Sequence, residues 1–269
     1  MDGEVRFAVG LFRGTAAYYD RYRLPYPDVM IEDLARRSHV PGRGRLLDLA
    51  CGTGQLAFAL RRWFGEVWAV DAEPDMVDLV RRKAGDAGDV RAVVSSAETL
   101  TAEPEHFELA VVGNAFHRLD RDVAAGRLFG WLQAGGHLAL CWSATPWTGE
   151  QDWQQALAAT LDRWRTALGA QERIPAGWEQ VRQRRPDAQV LTDAGFELAG
   201  EYEFTAGHRW SVTELAGFVR STSFLPATVL GDQAAAFDAD LAVSLGPHSS
   251  DGTFPQAVGF GYELARKPA

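Results

Sequence analysis

Residues 45–60 read RLLDLACGTGQLAFAL: an apolar run carrying Asp48 near its end, a turn of small residues from Ala50 to Gly54, and an amphipathic stretch from Gln55. An apolar run, then glycines, then a helical period predicts a strand, a tight turn and a helix. Gly52 and Gly54 have no Cβ, so the backbone there can take positive φ and a ligand can come close to it. The helix starting near Gln55 offers N–H groups without intrahelical partners and the positive end of its dipole, which favours a polar or anionic group. Farther on, the apolar run EVWAV ends in Asp71, where a carboxylate can accept hydrogen bonds from the vicinal hydroxyls of a ribose. Together the glycine turn and the strand-end acid predict a nucleoside site; taken singly, the glycines make a plain turn and Asp71 caps the next helix.

Outward from this stretch, short apolar runs alternate with amphipathic ones as far as residue 142. Strands are predicted over 45–50, 66–71, 90–94, 107–113 and 136–142. Runs without polar alternation suit strands buried on both faces, and the intervening helices supply right-handed crossovers. The fold class is therefore α/β, a Rossmann-like doubly wound, mostly parallel sheet. Before it, FRGTAAYYDRYRLPYPDVMIEDLARRS predicts two helices separated at Pro25 and Pro27, a helical cap over the strand ends. After Trp142 the rhythm stops. Residues 144–190 hold helical candidates such as QDWQQALAATLDRW, interrupted at Gly169, Pro175 and Pro186, and are read as an inserted lid. The tail predicts a strand over FELAGEYEFTA, a helix capped by Ser211 with Glu214 three residues on, a second helix over QAAAFDADLAVSL, and a last strand, QAVGFGYELARK, that ends the sheet. The expected organisation is a cap and cofactor-binding core over 1–143, the lid over 144–190, and 191–269 completing the same domain.

Composition narrows the function. The 269 residues carry 27 basic and 36 acidic side chains, a net charge of −9, which disfavours nucleic acid and anionic membranes as partners. Cys51 and Cys141 are too few for a disulfide framework. His39, His106, His117, His137, His208 and His248 show no metal-ligand spacing, so no metal is expected. The opening MDGEVRFAVGLF lacks a basic segment leading into an apolar core and no apolar run is long enough to span a bilayer, which predicts a cytoplasmic protein.

Gly52, Gly54 and Ala57 also satisfy the G-x-G-x-x-G/A pattern of dinucleotide binders. Asp48, four residues ahead of Gly52, departs from that pattern, because a carboxylate there sits badly against a pyrophosphate and suits an amine or an ordered water beside a cationic ligand. Asp48-Leu49-Ala50-Cys51-Gly52-Thr53-Gly54 instead resembles motif I of the class I S-adenosylmethionine-dependent methyltransferases. Asp71 matches that family's ribose position, Ser96-Ala97-Glu98 its adenine-lining stretch, and Asn114-Ala115-Phe116-His117 the end of its fourth strand. The resemblance spans roughly residues 10–142 and the last strand. It is greatest to the small-molecule enzymes of the trans-aconitate and ubiquinone type, whose N-terminal helix carries a Tyr-x-x-x-Arg-x-Pro-like signature; Tyr18, Tyr22, Arg23 and Tyr26 occupy that stretch. Two departures are Ala50, where a third glycine is commonest, and Arg118-Leu119, where an aromatic is frequent.

The resemblance implies S-adenosylmethionine as cofactor, held by Tyr22, Arg23, Asp48, Ala50, Gly52, Gly54, Asp71, Met76, Ala97, Glu98 and Asn114, and methyl transfer to the O, N or C of a small molecule. Met76 reads equally as an adenine contact and as a helix residue facing the sheet. His117, at the carboxyl end of a central strand, is the candidate general base, with a pKa near 7, or else a pocket-lining side chain. Six of the nine tryptophans lie beyond residue 140, which suits an apolar or aromatic acceptor as well as packing. Two other functions fit the same residues: an NAD(P)-dependent oxidoreductase, and a protein that binds the cofactor without transferring methyl.

Overall fold

The computed structural model describes residues 7–40 and 42–269; the first part of the opening stretch, MDGEVR, lies outside them. Two helices, α1 (Ala16–Tyr22) and α2 (Asp28–Arg37), come first. Pro25 stops the first, since the residue before a proline is held extended, and α2 begins directly after Pro27. Then follow β1 (Arg45–Leu49), α3 (Gln55–Leu60), β2 (Glu66–Asp71), α4 (Pro74–Ala84), β3 (Val90–Val94), β4 (Phe107–Gly113), α5 (Arg121–Trp131) and β5 (Leu132–Ser143). Two helix starts have a local cause: Pro74 occupies the first turn of α4, where its missing N–H costs nothing, and Asp120 caps α5 by accepting from the Val123 N–H.

Beyond β5 lie α6 (Asp152–Ala167), α7 (Trp178–Arg184), α8 (Asp187–Asp193), β6 (Glu197–Ser211), α9 (Val212–Arg220), α10 (Ala227–Leu230), α11 (Ala234–Leu245) and β7 (Thr253–Arg266). The seven strands form one sheet in the order β3-β2-β1-β4-β5-β7-β6, with β7 antiparallel to both neighbours. β1 and β4 are adjacent and parallel, so the strand order reverses between them and a crevice opens beyond their carboxyl ends.

Two expectations change. The last strand does not end the sheet: β7 lies inside it and β6 is the edge. The burial patterns give the reason, because Phe260, Tyr262, Leu264 and Ala265 of β7 are buried on both faces whereas β6 alternates between half-buried and exposed for most of its length. β5 begins at Leu132, four residues before the expected strand, because its pairing with β4 slips between Phe107 and Leu109 and periodicity cannot see across the irregularity.

On one face of the sheet, Met30, Ile31 and Leu34 of α2 and Leu56 and Leu60 of α3 pack on Leu46, Val67, Val111 and Tyr262. On the other, Ala124 and Leu128 of α5 and Val190 and Leu191 of α8 cover Leu47, Val70, Ala110 and Leu138. A third cluster joins Trp153, Leu157 and Leu161 of α6 to Phe218 of α9, Phe237 and Leu241 of α11, and Trp210. The stretch expected as a lid is thus divided between the third cluster and the sheet, and residue 190 lies inside α8. Among the described residues no helix is long and apolar enough to cross a membrane.

Candidate functional site

The turn after β1 is built on positive φ at Ala50 (56°), Gly52 (55°) and Gly54 (80°). It is tied to β2 by the Cys51 N–H donating to the Val70 carbonyl at 2.9 Å. Asp71, at the end of β2, completes the brace: its Oδ2 accepts the Gly52 N–H at 2.8 Å and its Oδ1 the Glu73 N–H at 2.9 Å. A carboxylate offers about four lone-pair sites, so each Asp71 oxygen can accept once more from a ligand. Burial raises the Asp71 pKa, against the backbone donors of Glu73, Gly52 and Ala72 that favour its charged form.

The two glycines have different tasks. A Cβ on Gly52 would lie 3.5 Å from the Tyr19 ring, in the narrow gap that the turn shares with α1, and Gly52 faces the cavity. A Cβ on Gly54 would come within 2.9 Å of the Phe58 ring. Gly54 does not line the cavity; it lets the turn enter α3.

Asp48 lies beneath the turn. It is 1% exposed, and its Oδ2 accepts the Ala57 N–H at 2.8 Å, so the first turn of α3 is satisfied from inside the protein rather than by a ligand. Burial, with the nearby Asp71 charge adding to it, pushes its pKa up to about 8. Unfolded, an aspartate titrates near ~3.9, so between there and about 8 the folded chain holds one more proton than the unfolded chain. The stability from Asp48 is therefore fully present below the unfolded pKa and is lost as pH rises through the folded one. Urea denaturation across that window is expected to show falling stability with rising pH, and Asp48→Asn to flatten the slope; an unaltered slope would mean that Asp48 is ionised throughout.

A cavity of about 360 Å³ opens above the turn. Ala50, Gly52, Asp71, Met76, Ala97, Glu98 and Asn114 all line it, so seven positions singled out in the sequence meet here. Asn114 is held in the left-handed region (φ 52°), where its Nδ2 donates to the Ser143 Oγ and the Tyr26 Oη and its Oδ1 accepts the Ser143 N–H. Much of the remaining wall comes from residues that sequence reasoning did not name as site residues, among them Phe7 to Phe12, Tyr19, Glu73 and Arg118. Tyr19 was legible in principle, because it stands four residues before Arg23 and so on the same face of α1.

Tyr22, Arg23 and His117 are placed elsewhere. Tyr22 stacks on Tyr18 at 6.2 Å and packs on α9, where Gly217 leaves room for its ring. Arg23 donates from Nε to the Ser221 Oγ at 2.7 Å and lies over the rings of Tyr19 and Phe218. It borders a small recess behind the cavity, with Gln55, Asn114 and Ser143. His117 sits between Phe7 and Trp178, with ring centroids 5.9 and 5.0 Å away, and faces a separate polar pocket with Arg182, Glu201 and Glu263. Burial, with Arg118, Arg182 and Arg121 adding to it, lowers its pKa to about 3. With its ring turned to the polar pocket and burial lowering its pKa, His117 is expected not to act as the base. A general base contributes about 10² to 10⁴ in rate; His117→Gln is expected to change kcat far less than that and to leave the limbs of the pH–rate profile in place.

None of the six late tryptophans lines the cavity. Trp153 and Trp210 are buried in the third cluster, and Trp164 packs against it. The aromatic wall comes from the amino-terminal Phe7, Phe12 and Tyr19 instead.

Comparison with known proteins bears on this geometry. The methyltransferase-domain family matches residues 46–136. The chain is 32% identical over 196 residues to trans-aconitate 2-methyltransferase of a Mycobacterium species, covering 65% of this chain and 69% of the relative. It is 30% identical over 133 residues to an uncharacterized methyltransferase of Mycobacterium tuberculosis, 49% of this chain and 51% of the relative; the match spans about half the length of the curated relatives of this kind. Among solved structures, a protein of Anaeromyxobacter dehalogenans assigned as a type II methyltransferase superposes with a TM-score of 0.62 at 22% identity, over 92% of this chain and 98% of that one.

Proposed function

This chain belongs to the class I S-adenosylmethionine-dependent methyltransferases, and on that premise we propose that its cavity binds S-adenosylmethionine and directs the methyl group to a small-molecule acceptor. The observation that carries the reading is Asp71, whose two oxygens are each fixed by a backbone N–H at the mouth of the turn and each keep acceptor capacity on the cavity side.

The residues present suit the cofactor. Asp71 accepts from the ribose hydroxyls. Met76 and Ala97 offer apolar contact to the adenine, and Glu98 a polar edge beside it. Ala50, Gly52 and Asn114 bound the portion toward β4, with Arg23 behind it and Tyr22 packed against α9 as support. Asp48 acts through the turn, by holding α3 in place. When bound, the cofactor supplies a methyl already activated by its sulfonium, so alignment of the acceptor rather than strong base catalysis is the main task of the protein. The cavity wall at Leu11, Phe12 and Leu119 is apolar, which supports an acceptor with an apolar or aromatic body. Work in the cytoplasm agrees with a chain whose described helices include no membrane span.

A calorimetric titration tests the reading. S-adenosylmethionine is expected to bind and NADH not to, and the S-adenosylhomocysteine product to accumulate with acceptor turnover. Tight NADH binding would favour the oxidoreductase, and turnover without S-adenosylhomocysteine a protein that keeps the cofactor for another task.

A further inference from the structure

Resting on the methyl-transfer reading above, we propose that Arg118 is the anchor for a carboxylate on the acceptor, so that the acceptor combines an apolar body with an anionic group. Arg118 closes the short turn after β4 and lines the cavity. Its guanidinium lies over the rings of Phe7 and Phe12, 4.8 and 4.7 Å from their centroids, and Nη2 donates to the Ser223 Oγ at 3.1 Å. A guanidinium has five N–H donors, and the ring faces use none of them.

Among the described residues no acid is paired with this group. Burial and the charge of Arg23 together lower Arg118 to about 10, and no carboxylate is among the charges acting on it. Several other partly buried arginines are paired with acids, Arg61 with Asp89, Arg121 with Asp187 and Arg220 with Asp238, whereas Arg127 and Arg173 spend their donors on backbone carbonyls. In a chain of net charge −9, leaving a desolvated guanidinium without a carboxylate at a cavity wall makes sense when the ligand brings the anion.

Arg23 also has no acid partner among the described residues, but two of its nitrogens point to Ser221 and the recess it borders holds only about 10 Å³. Arg118 borders the large cavity and has the free donors. Arg173 fixes the surroundings, donating from Nε to the Ser223 carbonyl and from Nη2 to the Leu11 carbonyl, so the residues beside Arg118 are held from both sides of the cavity wall.

The experiment uses the full chain saturated with S-adenosylhomocysteine and two matched probe pairs, benzoate against benzamide and cinnamate against cinnamamide. Each carboxylate is expected to bind at least about tenfold more tightly than its amide, the size of one charge-assisted contact. Arg118→Met is expected to abolish that preference with S-adenosylhomocysteine affinity nearly unchanged, and Arg118→Lys to keep part of it, since the charge stays and the fork is lost. If Arg118→Met does not fold, the wild-type pairs and Arg118→Lys decide. Equal binding of acid and amide, no binding of either carboxylate up to its solubility, or an undiminished preference in folded Arg118→Met overturns the proposal. Failure of S-adenosylhomocysteine itself to bind overturns the cofactor reading instead, so the two failures are distinguishable.

Discussion

Asp71→Ala is expected to weaken S-adenosylmethionine binding by about 2 to 4 kcal/mol, the loss of charge-assisted hydrogen bonds to a ribose. The fold should survive, since Asp71 sits at the end of β2 and not in its packed interior. The substitution also releases the Gly52 and Glu73 N–H groups that the carboxylate holds, so the turn loosens and part of the loss is an ordering cost. Asp71→Asn separates the two contributions: its single amide oxygen can replace only one of the carboxylate's two backbone contacts, and its NH₂ faces the other donor. An affinity between those of wild type and Asp71→Ala is therefore expected for it. Because burial raises the Asp71 pKa, affinity should decline on acidification at a higher pH than an ordinary aspartate would give. Calorimetry with a folded variant whose dissociation constant equals that of wild type would remove Asp71 from the site.

Trp210→Ala should be the more damaging change to the fold, costing about 3 to 5 kcal/mol in chemical denaturation. Trp210 is 1% exposed near the end of β6, where the edge strand passes into α9. Its ring packs against His208 and Phe218, with centroids 4.3 and 5.5 Å away, and its Nε1 donates to the buried Gln256 Oε1 at 2.7 Å. Truncation opens a cavity in the third cluster and strands the Gln256 acceptor inside it. Trp210→Phe keeps much of the apolar volume and loses the donor, so it should cost less, about 1 to 3 kcal/mol. A midpoint shift no larger for alanine than for phenylalanine would show that packing around the ring is not what holds this corner. The cavity lining does not include Trp210, so S-adenosylmethionine affinity at low temperature should be preserved in the folded fraction.

Residues close together in the chain carried the legible part of the protein. The run from Arg45 to Leu60 predicts strand, turn and helix because each step depends on neighbours: buried apolar residues, then positions that tolerate positive φ, then a helical period. The parallel half of the sheet follows from the same local alternation, and the pairing of a glycine turn with Asp71 follows from adjacent parallel strands ending at one edge. The capping box of Ser211 and Glu214 was equally local and is present, the Glu214 N–H donating to the Ser211 Oγ and the Ser211 N–H to the Glu214 Oε2. Only tertiary packing decided what those ends face. Arg118 is more than a hundred residues from Phe7 and Phe12, and nothing in their flanking sequence says that they meet. His117 and Arg118 are chain neighbours at the same strand end, yet a single tight turn sends one side chain to the polar pocket and the other to the cavity. β7 could be recognised as a strand from its alternation, but its place between β5 and β6 depends on which of the two late strands has both faces covered. That is settled by the burial of Phe260, Tyr262 and Leu264 against helices from the opposite end of the chain, a contact that strand periodicity does not encode.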